Sequence, residues 1–328
     1  MEQYHHKTVL ITGGLGFIGS NLARRLVGLG AQVTLVDTLN PLYGGNMFNV
    51  SDIRDQVTVV IGDVRDRRVM NRLVESKDYL FSLAGQTSHL DSMEDPQTDL
   101  AINAAAQLFI LEACRTVNPT VKIVFAGTRQ VYGKPNYLPV DEKHPVNPVD
   151  INGINKLAGE KYHLLYNDVY GVRSCVLRLT NTYGAGMRIR DARQTFLGVW
   201  IRQLIEGQPI QVFGDGRQRR DFNYVEDCVD AMLLSAATDV SNGKVYNLGS
   251  EEVINLKDLA AMITQLGYGG SFKLVPFPVE RKAIDIGDYY GDFSLIRKEL
   301  DWSPRIRLSE GLCTTLSYYN KHGQHYWA

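Results

Sequence analysis

Residues 8–20 read TVLITGGLGFIGS. An apolar run suited to a buried strand enters a glycine turn, and an amphipathic helix is expected from about 17 to 29. Gly14-Leu15-Gly16-Phe17-Ile18-Gly19 satisfies G-x-G-x-x-G, and Gly13, Gly16 and Gly19 satisfy G-x-x-G-x-x-G. Such glycines allow a tight turn, close approach of a pyrophosphate and close helix–strand packing, while the helix start offers free amides and its positive dipole end. A glycine turn alone says little. Here it follows a strand, opens a helix and has Asp37 at the end of the next strand, which predicts a dinucleotide site. Asp37 is placed to accept from the adenosine ribose and would repel a 2′-phosphate, and Thr38 and Leu39 bring no positive charge. NAD is therefore expected over NADP.

Outward from this unit the chain alternates strands with helices. Segments 32–36, 57–61, 79–83 and 122–126 read as strands, with a helix over 101–117. A further helix is expected over 155–167, and 174–179 is the next strand. Near-continuous apolar strands in strand–helix–strand order predict an α/β fold with a doubly wound parallel sheet covered on both faces. Beyond about 188 the alternation loosens: a strand, a glycine turn and a helix start, then a helix over 256–266 and a loop-rich stretch over 276–292. We expect a cofactor domain over 1–180, rejoined by segments at about 220–250, and a smaller C-terminal lobe, mainly 181–328, over the carboxyl edge of the sheet.

Composition excludes other classes. The 328 residues are 44% hydrophobic and 22% charged, with net charge -1, which gives no electrostatic reason to expect nucleic acid or an anionic membrane as partner. The four cysteines, Cys114, Cys175, Cys228 and Cys313, lie far apart without a C-x-x-C pair. They read as free thiols in a reducing compartment, with no metal expected. MEQYHHK runs straight into a strand with no signal or transit pattern, and no uninterrupted apolar run of about 18 residues occurs. A cytoplasmic protein is expected.

The segments TGGLGFIGS, GDVRD, VFAGTRQVYG, INGINKLAGE, LRLTNTYG and RRDFNYVED occur in that order. With them the chain resembles the extended short-chain dehydrogenase/reductases, and within these the NAD-dependent nucleotide-sugar epimerase/dehydratase family, in its UDP-glucose 4-epimerase-like form. The resemblance runs from about Lys7 to Trp302. It implies a Rossmann-type domain holding NAD and a smaller lobe gripping a nucleoside diphospho-sugar, a UDP-sugar by preference. It extends the cofactor set to Phe17, Ile18, Asn40, Asp63, Val64, Leu83, Ala84, Gly85 and Lys156. Asp63 is also readable as a helix cap.

In such enzymes a Ser/Thr, a Tyr and a Lys act together: the phenolate takes a proton from a sugar hydroxyl as hydride passes to the nicotinamide. Thr128 matches the Ser/Thr and Lys156 the lysine. Asn152 stands where the tyrosine is expected, and a carboxamide cannot accept a proton at neutral pH. Candidate replacement bases are Lys156 itself, His89 in the loop after the fourth strand, and, more weakly, Asp150 and His144. The 4,6-dehydratases carry an acidic pair just after the threonine, and the decarboxylases carry a glutamate nearby. Arg129 and Gln130 stand there instead, which disfavours elimination and leaves C4 epimerisation as the least demanding reaction. Arg129 is a candidate for a substrate carboxylate, or for an ion pair with a loop acid.

For substrate grip, the resemblance assigns Asn181 to the phosphates, Arg220 and Arg281 to the diphosphate and Gln211, Val212 and Phe213 to the nucleotide base. Two guanidinium groups can fork onto phosphate oxygens, which suits a pyrophosphate. The tyrosines of GDYYGD read as packing. Helices 101–117 and 155–167 correspond to those that pair between subunits in the family, so a homodimer is expected.

Overall fold

In the computed structural model, which describes residues 2–192, 195–266 and 269–327, the strand of the glycine turn lies inside a broad parallel sheet. The strands are β1 (Thr8–Thr12), β2 (Gln32–Asp37), β3 (Val57–Ile61), β4 (Tyr79–Ser82), β5 (Lys122–Thr128) and β6 (Ser174–Leu179). They continue as β7 (Asn181–Tyr183), β8 (Ile210–Phe213), β9 (Arg219–Tyr224), β10 (Val245–Asn247), β11 (Val253–Asn255) and β12 (Phe272–Val275). Seven form one sheet in the order β10-β6-β5-β4-β1-β2-β3. The chain winds outward through β2 and β3, then crosses back to β4 on the other side of β1. That reversal opens a crevice at the carboxyl ends of β1 and β4, where doubly wound sheets take ligands.

Both faces are covered, which explains the unbroken apolar strands. On one side α1 (Phe17–Gly28) packs beside a later helix, Val225–Ala236, which also lies on β5 and β6. On the other lie α2 (Arg67–Val74), the short α3 (His89–Glu94) and α4 (Pro96–Leu100), then α5 (Ala106–Val117) and α6 (Ile151–Tyr170). The helix expected over 101–117 begins earlier, at Pro96, because Asp95 caps it by accepting from Thr98 N at 3.1 Å and proline suits a first helical position. A π-helical turn, Ala101–Ala105, sits in its middle. Pro96–Val117 is long and apolar enough to cross a bilayer, with mean hydropathy 1.3, yet it packs against α2 and α6 with half its residues buried.

Helix α6 also starts earlier than the sequence pattern suggests. Asp150 accepts from Gly153 N at 2.6 Å, starting the helix at Ile151, and Gly171, at φ 69°, ends it. Asn152 and Lys156 therefore stand one turn apart on one helix face. The helix is tied to β6 by a buried ion pair: Arg178 donates to both oxygens of Glu160 at 2.6 and 2.8 Å and to Tyr132 Oη at 2.6 Å. Burial lowers the guanidinium's pKa, but Glu160 and Tyr132 hold it above its ordinary value.

The later chain builds a second core around Trp200, Leu204, Ile210, Val212, Leu259 and Leu312. Helices α7 (Phe196–Ile205), α8 (Val225–Ala236) and α9 (Leu256–Gln265) frame a β11-β9-β7 sheet and a β12-β8 pair. β9, RRDFNY, was not apparent in the sequence. β10 returns to the edge of the large sheet beside β6. The loop-rich stretch 276–292 contains one short helix, α10 (Val279–Ala283).

Candidate active site

One cavity of about 1170 Å³ runs from the glycine turn, past the ends of β4 and β5, to β8 and α10. At the cofactor end it is lined by Gly13, Gly16, Phe17, Ile18 and Gly19, by Asp37, Asn40, Asp63 and Val64, and by Leu83, Ala84 and Gly85. The glycines are required sterically. A Cβ on Gly19 would sit 2.3 Å from Gly13 O, and Gly13, at φ 70°, lies against the Ala84 backbone. No side chain caps α1, so its first amides remain available to an anion. Asp37 accepts from Leu15 N at 3.1 Å and Leu39 N at 2.8 Å, while burial raises its pKa against those bonds. This turn, helix start and carboxylate fit the pyrophosphate and ribose of a dinucleotide. Asn40 caps a short turn through Leu42 N, and Asp63 is forked by Arg65, whereas Asp66 caps α2. The helix-cap alternative for Asp63 is thereby removed. We expect Asp37→Asn to weaken NAD about tenfold and to narrow the preference for NAD over NADP, measured by calorimetry with both dinucleotides.

At the centre stand Thr128, Asn152 and Lys156. Thr128 Oγ accepts from Gln130 N at 3.2 Å, leaving its own hydrogen free to donate. Lys156 Nζ donates to Ala126 O at 3.1 Å; burial pulls its pKa down to about 8, against the opposing pull of Asp99. Gly85 makes room for it, since a Cβ there would lie 3.1 Å from Nζ. Asn152 Nδ2 donates to Gln86 O at 2.8 Å and Asp99 Oδ2 at 3.0 Å, and Asn155 Nδ2 donates to Asp99 Oδ1 at 2.8 Å. The carboxamide thus anchors a buried carboxylate. Among the described residues no donor reaches Asn152 Oδ1, and Asn152 borders the cavity.

Two candidate bases separate clearly. His144 is buried outside the cavity, with Nε2 accepting from Asn136 N at 2.8 Å and Nδ1 beside Pro145 O at 2.7 Å. Both nitrogens serve backbone, so His144 is a structural residue. His89 lines the cavity, and its Nδ1 lies 2.9 Å from Asp150 Oδ2.

At the far end Arg129 is held by neutral amides: it donates to Asn181 Oδ1 at 3.1 Å and Gln130 Oε1 at 3.3 Å, over the Tyr289 ring at 4.9 Å. The ion pair with a loop acid is not what the described residues form. Arg220, pulled down to about 10 by burial and by the like charge of Arg129, has its nearest carboxylate oxygen, on Asp285, at 4.0 Å. Arg281 lies over Phe213 at 5.8 Å. Asn181, Gln211, Phe213, Arg220 and Arg281 all reach the cavity. The Val212 side chain does not: strand alternation turns it into the second core, where it is fully buried, so it is not a side-chain contact to the base.

Residues 9–249 match the NAD dependent epimerase/dehydratase family. The chain belongs to that family. A relative described as a putative UDP-glucose 4-epimerase of Methanocaldococcus jannaschii is 32% identical over 321 residues, covering 96% of this chain and 99% of its own. The solved epimerase of Methanothermobacter thermautotrophicus superposes with TM-score 0.91 at 26% identity, covering 98% of this chain and 95% of that one. The Thermotoga maritima UDP-glucose 4-epimerase, solved with UDP-glucose, gives TM-score 0.86 at 28% identity, covering 96% and 99%. Membership makes NAD the cofactor, in keeping with the glycine turn and Asp37.

For a family member, the residues that sequence reading missed are the polar supports. Gln86 comes from the loop after β4, Asp99 and Asn103 from successive turns of the helix that starts at Pro96, and Gln130 from the end of β5. Asn103 Nδ2 donates to Gln86 O at 2.9 Å, and its own buried Oδ1 has no partner among the described residues. No motif spacing marks these groups; the proline–aspartate start of α4 was their nearest signal.

Proposed function

We propose that the protein is a nucleotide-sugar epimerase, acting at C4 through a transient 4-keto sugar. The observation that carries this reading is the continuity of one cavity. It joins the glycine turn and Asp37, the Thr128–Lys156 centre, and Arg129, Arg220 and Arg281, whose one ion pair among the described residues is the 4.0 Å contact of Arg220 with Asp285. NAD, held by Gly13, Gly16, Gly19, Asp37 and Lys156, supplies a reversible hydride acceptor. Thr128 would donate to and orient the reacting hydroxyl. Arg220 and Arg281 would hold the diphosphate, with Gln211 and Phe213 along the base of a UDP-sugar and Asn181 supporting the phosphates. Arg129, in direct ion-pair contact with no carboxylate among the described residues and lining the cavity, suits a sugar carboxylate, which makes a uronate an attractive substrate.

Incubation with UDP-glucose, UDP-glucuronate and their N-acetyl relatives, resolved by NMR, should give the C4 epimer of at least one. Saturating binding of all of them with no conversion would sink the reading. Loss of water or solvent deuterium at C5 would instead mark elimination, and net NADH would mark dehydrogenation. The Asn152 carboxamide favours one second reading, a silent binding homologue. Since Asn152 anchors Asp99, restoring tyrosine there would also strip a buried acid of a donor, so Asn152→Tyr is a poor rescue on either reading.

A homodimer fits this proposal. Ile154, Leu165 and Val169 are exposed along one stripe of α6, and Leu100 at the end of α4 is exposed too. The free thiols of Cys114, Cys175, Cys228 and Cys313 suit a reducing, cytoplasmic setting.

A further inference from the structure

We propose that His89, oriented by Asp150, is the proton acceptor for the reacting sugar hydroxyl, doing the work that the tyrosine position leaves undone. The assignment rests on the epimerase reading above. It starts from the placement of the ring. His89 is the first residue of α3, whose start Ser88 fixes by accepting from Asp91 N at 3.1 Å. Its Nδ1 lies 2.9 Å from Asp150 Oδ2, and the side chains are 37% and 1% exposed respectively. One end of the imidazole is therefore seated on a buried carboxylate while the ring as a whole borders the cavity shared with Thr128, Asn152 and Lys156.

The contacts also set the tautomer. Gln130 Nε2 donates to Asp150 Oδ2 at 3.2 Å and lies 3.3 Å from His89 Nδ1. A carboxylate only accepts, so a ring nitrogen at 2.9 Å from it must carry the hydrogen and cannot also accept from Gln130. Burial raises the Asp150 pKa, but hydrogen bonds from His89, Gly153 and Gln130, joined by charge when the ring is protonated, bring it below the ordinary carboxylate value. In the neutral ring Nε2 is then left bare, as a general base needs. Gln130 fixes the assembly to the active centre, because its own N–H donates to Thr128 Oγ. The remaining buried histidine of the Rossmann domain is spent elsewhere: His163 is bonded to Ser174 and Gln107 and lies outside the cavity.

In the step, the hydroxyl O–H bond breaks and its proton passes to His89 Nε2. With NAD+ bound, the nicotinamide would take the C4 hydrogen with its electron pair as hydride, leaving the carbonyl. The resulting imidazolium is paired with Asp150, and it returns the proton when hydride is delivered to the opposite face of the sugar. Asp150 is a positioning residue in this scheme and never takes the proton.

Four variants and one spectrum test it on the NAD-loaded protein and on the free chain. His89→Asn keeps a donor toward Asp150 and should lower turnover about 100-fold or more, while calorimetric affinities for NAD and UDP-sugar change less than about threefold. His89→Ala should regain at least about tenfold when imidazole is added, which a structural histidine would not show. Asp150→Asn retains a good helix cap and should lower kcat more than about tenfold with KM little changed. In 15N-histidine NMR of the unliganded chain, the signal lost in His89→Asn should show hydrogen on Nδ1 and a bare Nε2, and Asp150→Asn should abolish that preference. Undiminished turnover in His89→Asn, or no imidazole rescue, overturns the assignment. So does activity that survives in His89→Asn but is lost in Lys156→Met, which moves the base to Lys156. A native protein inert on every sugar nucleotide would instead sink the epimerase reading itself.

Discussion

Glu160→Ala should cost about 3–5 kcal/mol of folding stability, the largest single loss expected outside the hydrophobic cores. The Glu160 side chain is fully buried and that of Arg178 is 4% exposed. Removal of the acid leaves a guanidinium in the core with the Tyr132 hydroxyl and the face of its ring, at 4.6 Å, as its remaining partners. An uncompensated buried charge is what makes such deletions expensive, far more than the net worth of the pair. Replacing both members by methionine should therefore be much milder than Glu160→Ala, and denaturant midpoints of the three proteins would show it. Equal losses in the single and double variants would mean that packing, not charge, decides the cost. The effect should reach the active centre too. Glu160 stands one turn after Lys156 on α6, and Tyr132 Oη passes the network on to Asn247 Oδ1 of β10 at 2.7 Å.

What the sequence disclosed follows from how local each constraint is. The glycine turn was legible because its requirement is steric and short-range: Gly19 needs its missing Cβ against Gly13, six residues away in the same segment. Thr128 and Lys156 were legible by spacing within a strand end and a helix. The start of α6 was misplaced because it depends on Asp150 closing onto Gly153, in a stretch whose residues favour no regular structure. β9 went unseen because Arg219, Arg220 and Asp221 put three charges at its start, where no apolar run marks a strand, although burial begins at Arg220 and continues to Tyr224. The purpose of Asn152 was least visible. Its partners, Gln86 and Asp99, lie 66 and 53 residues away, and only the fold brings a loop, α4 and α6 together around one buried carboxylate. The same holds for His89 and Asp150: each was a candidate alone, but their pairing across α3 and α6 has no sequence period.

Lys156→Met should abolish turnover, by at least about 10³-fold, and weaken NAD, while leaving the folded protein as stable as before or more so. The asymmetry comes from the setting of the amine. Among the described residues its direct protein acceptor is Ala126 O, no carboxylate is in ion-pair contact, and the Phe125 ring lies 5.0 Å away. Burial without a close counter-ion explains the fall of its pKa from 10.5 to about 8. A methionine of similar length keeps the packing and removes that desolvation cost, so lost activity cannot be ascribed to unfolding. The shift has a second, independent signature. Between pH 8 and 10.5 the unfolded lysine is protonated and the folded one is largely not. The unfolded state then binds more protons, so native stability rises with pH through this window. Lys156→Met lacks that contribution, and its stability relative to the native protein should fall as pH climbs from about 8 toward 10.5, in denaturation curves recorded without NAD. Parallel pH profiles in the two proteins would show that the amine is not held in the apolar setting on which its place in the site depends.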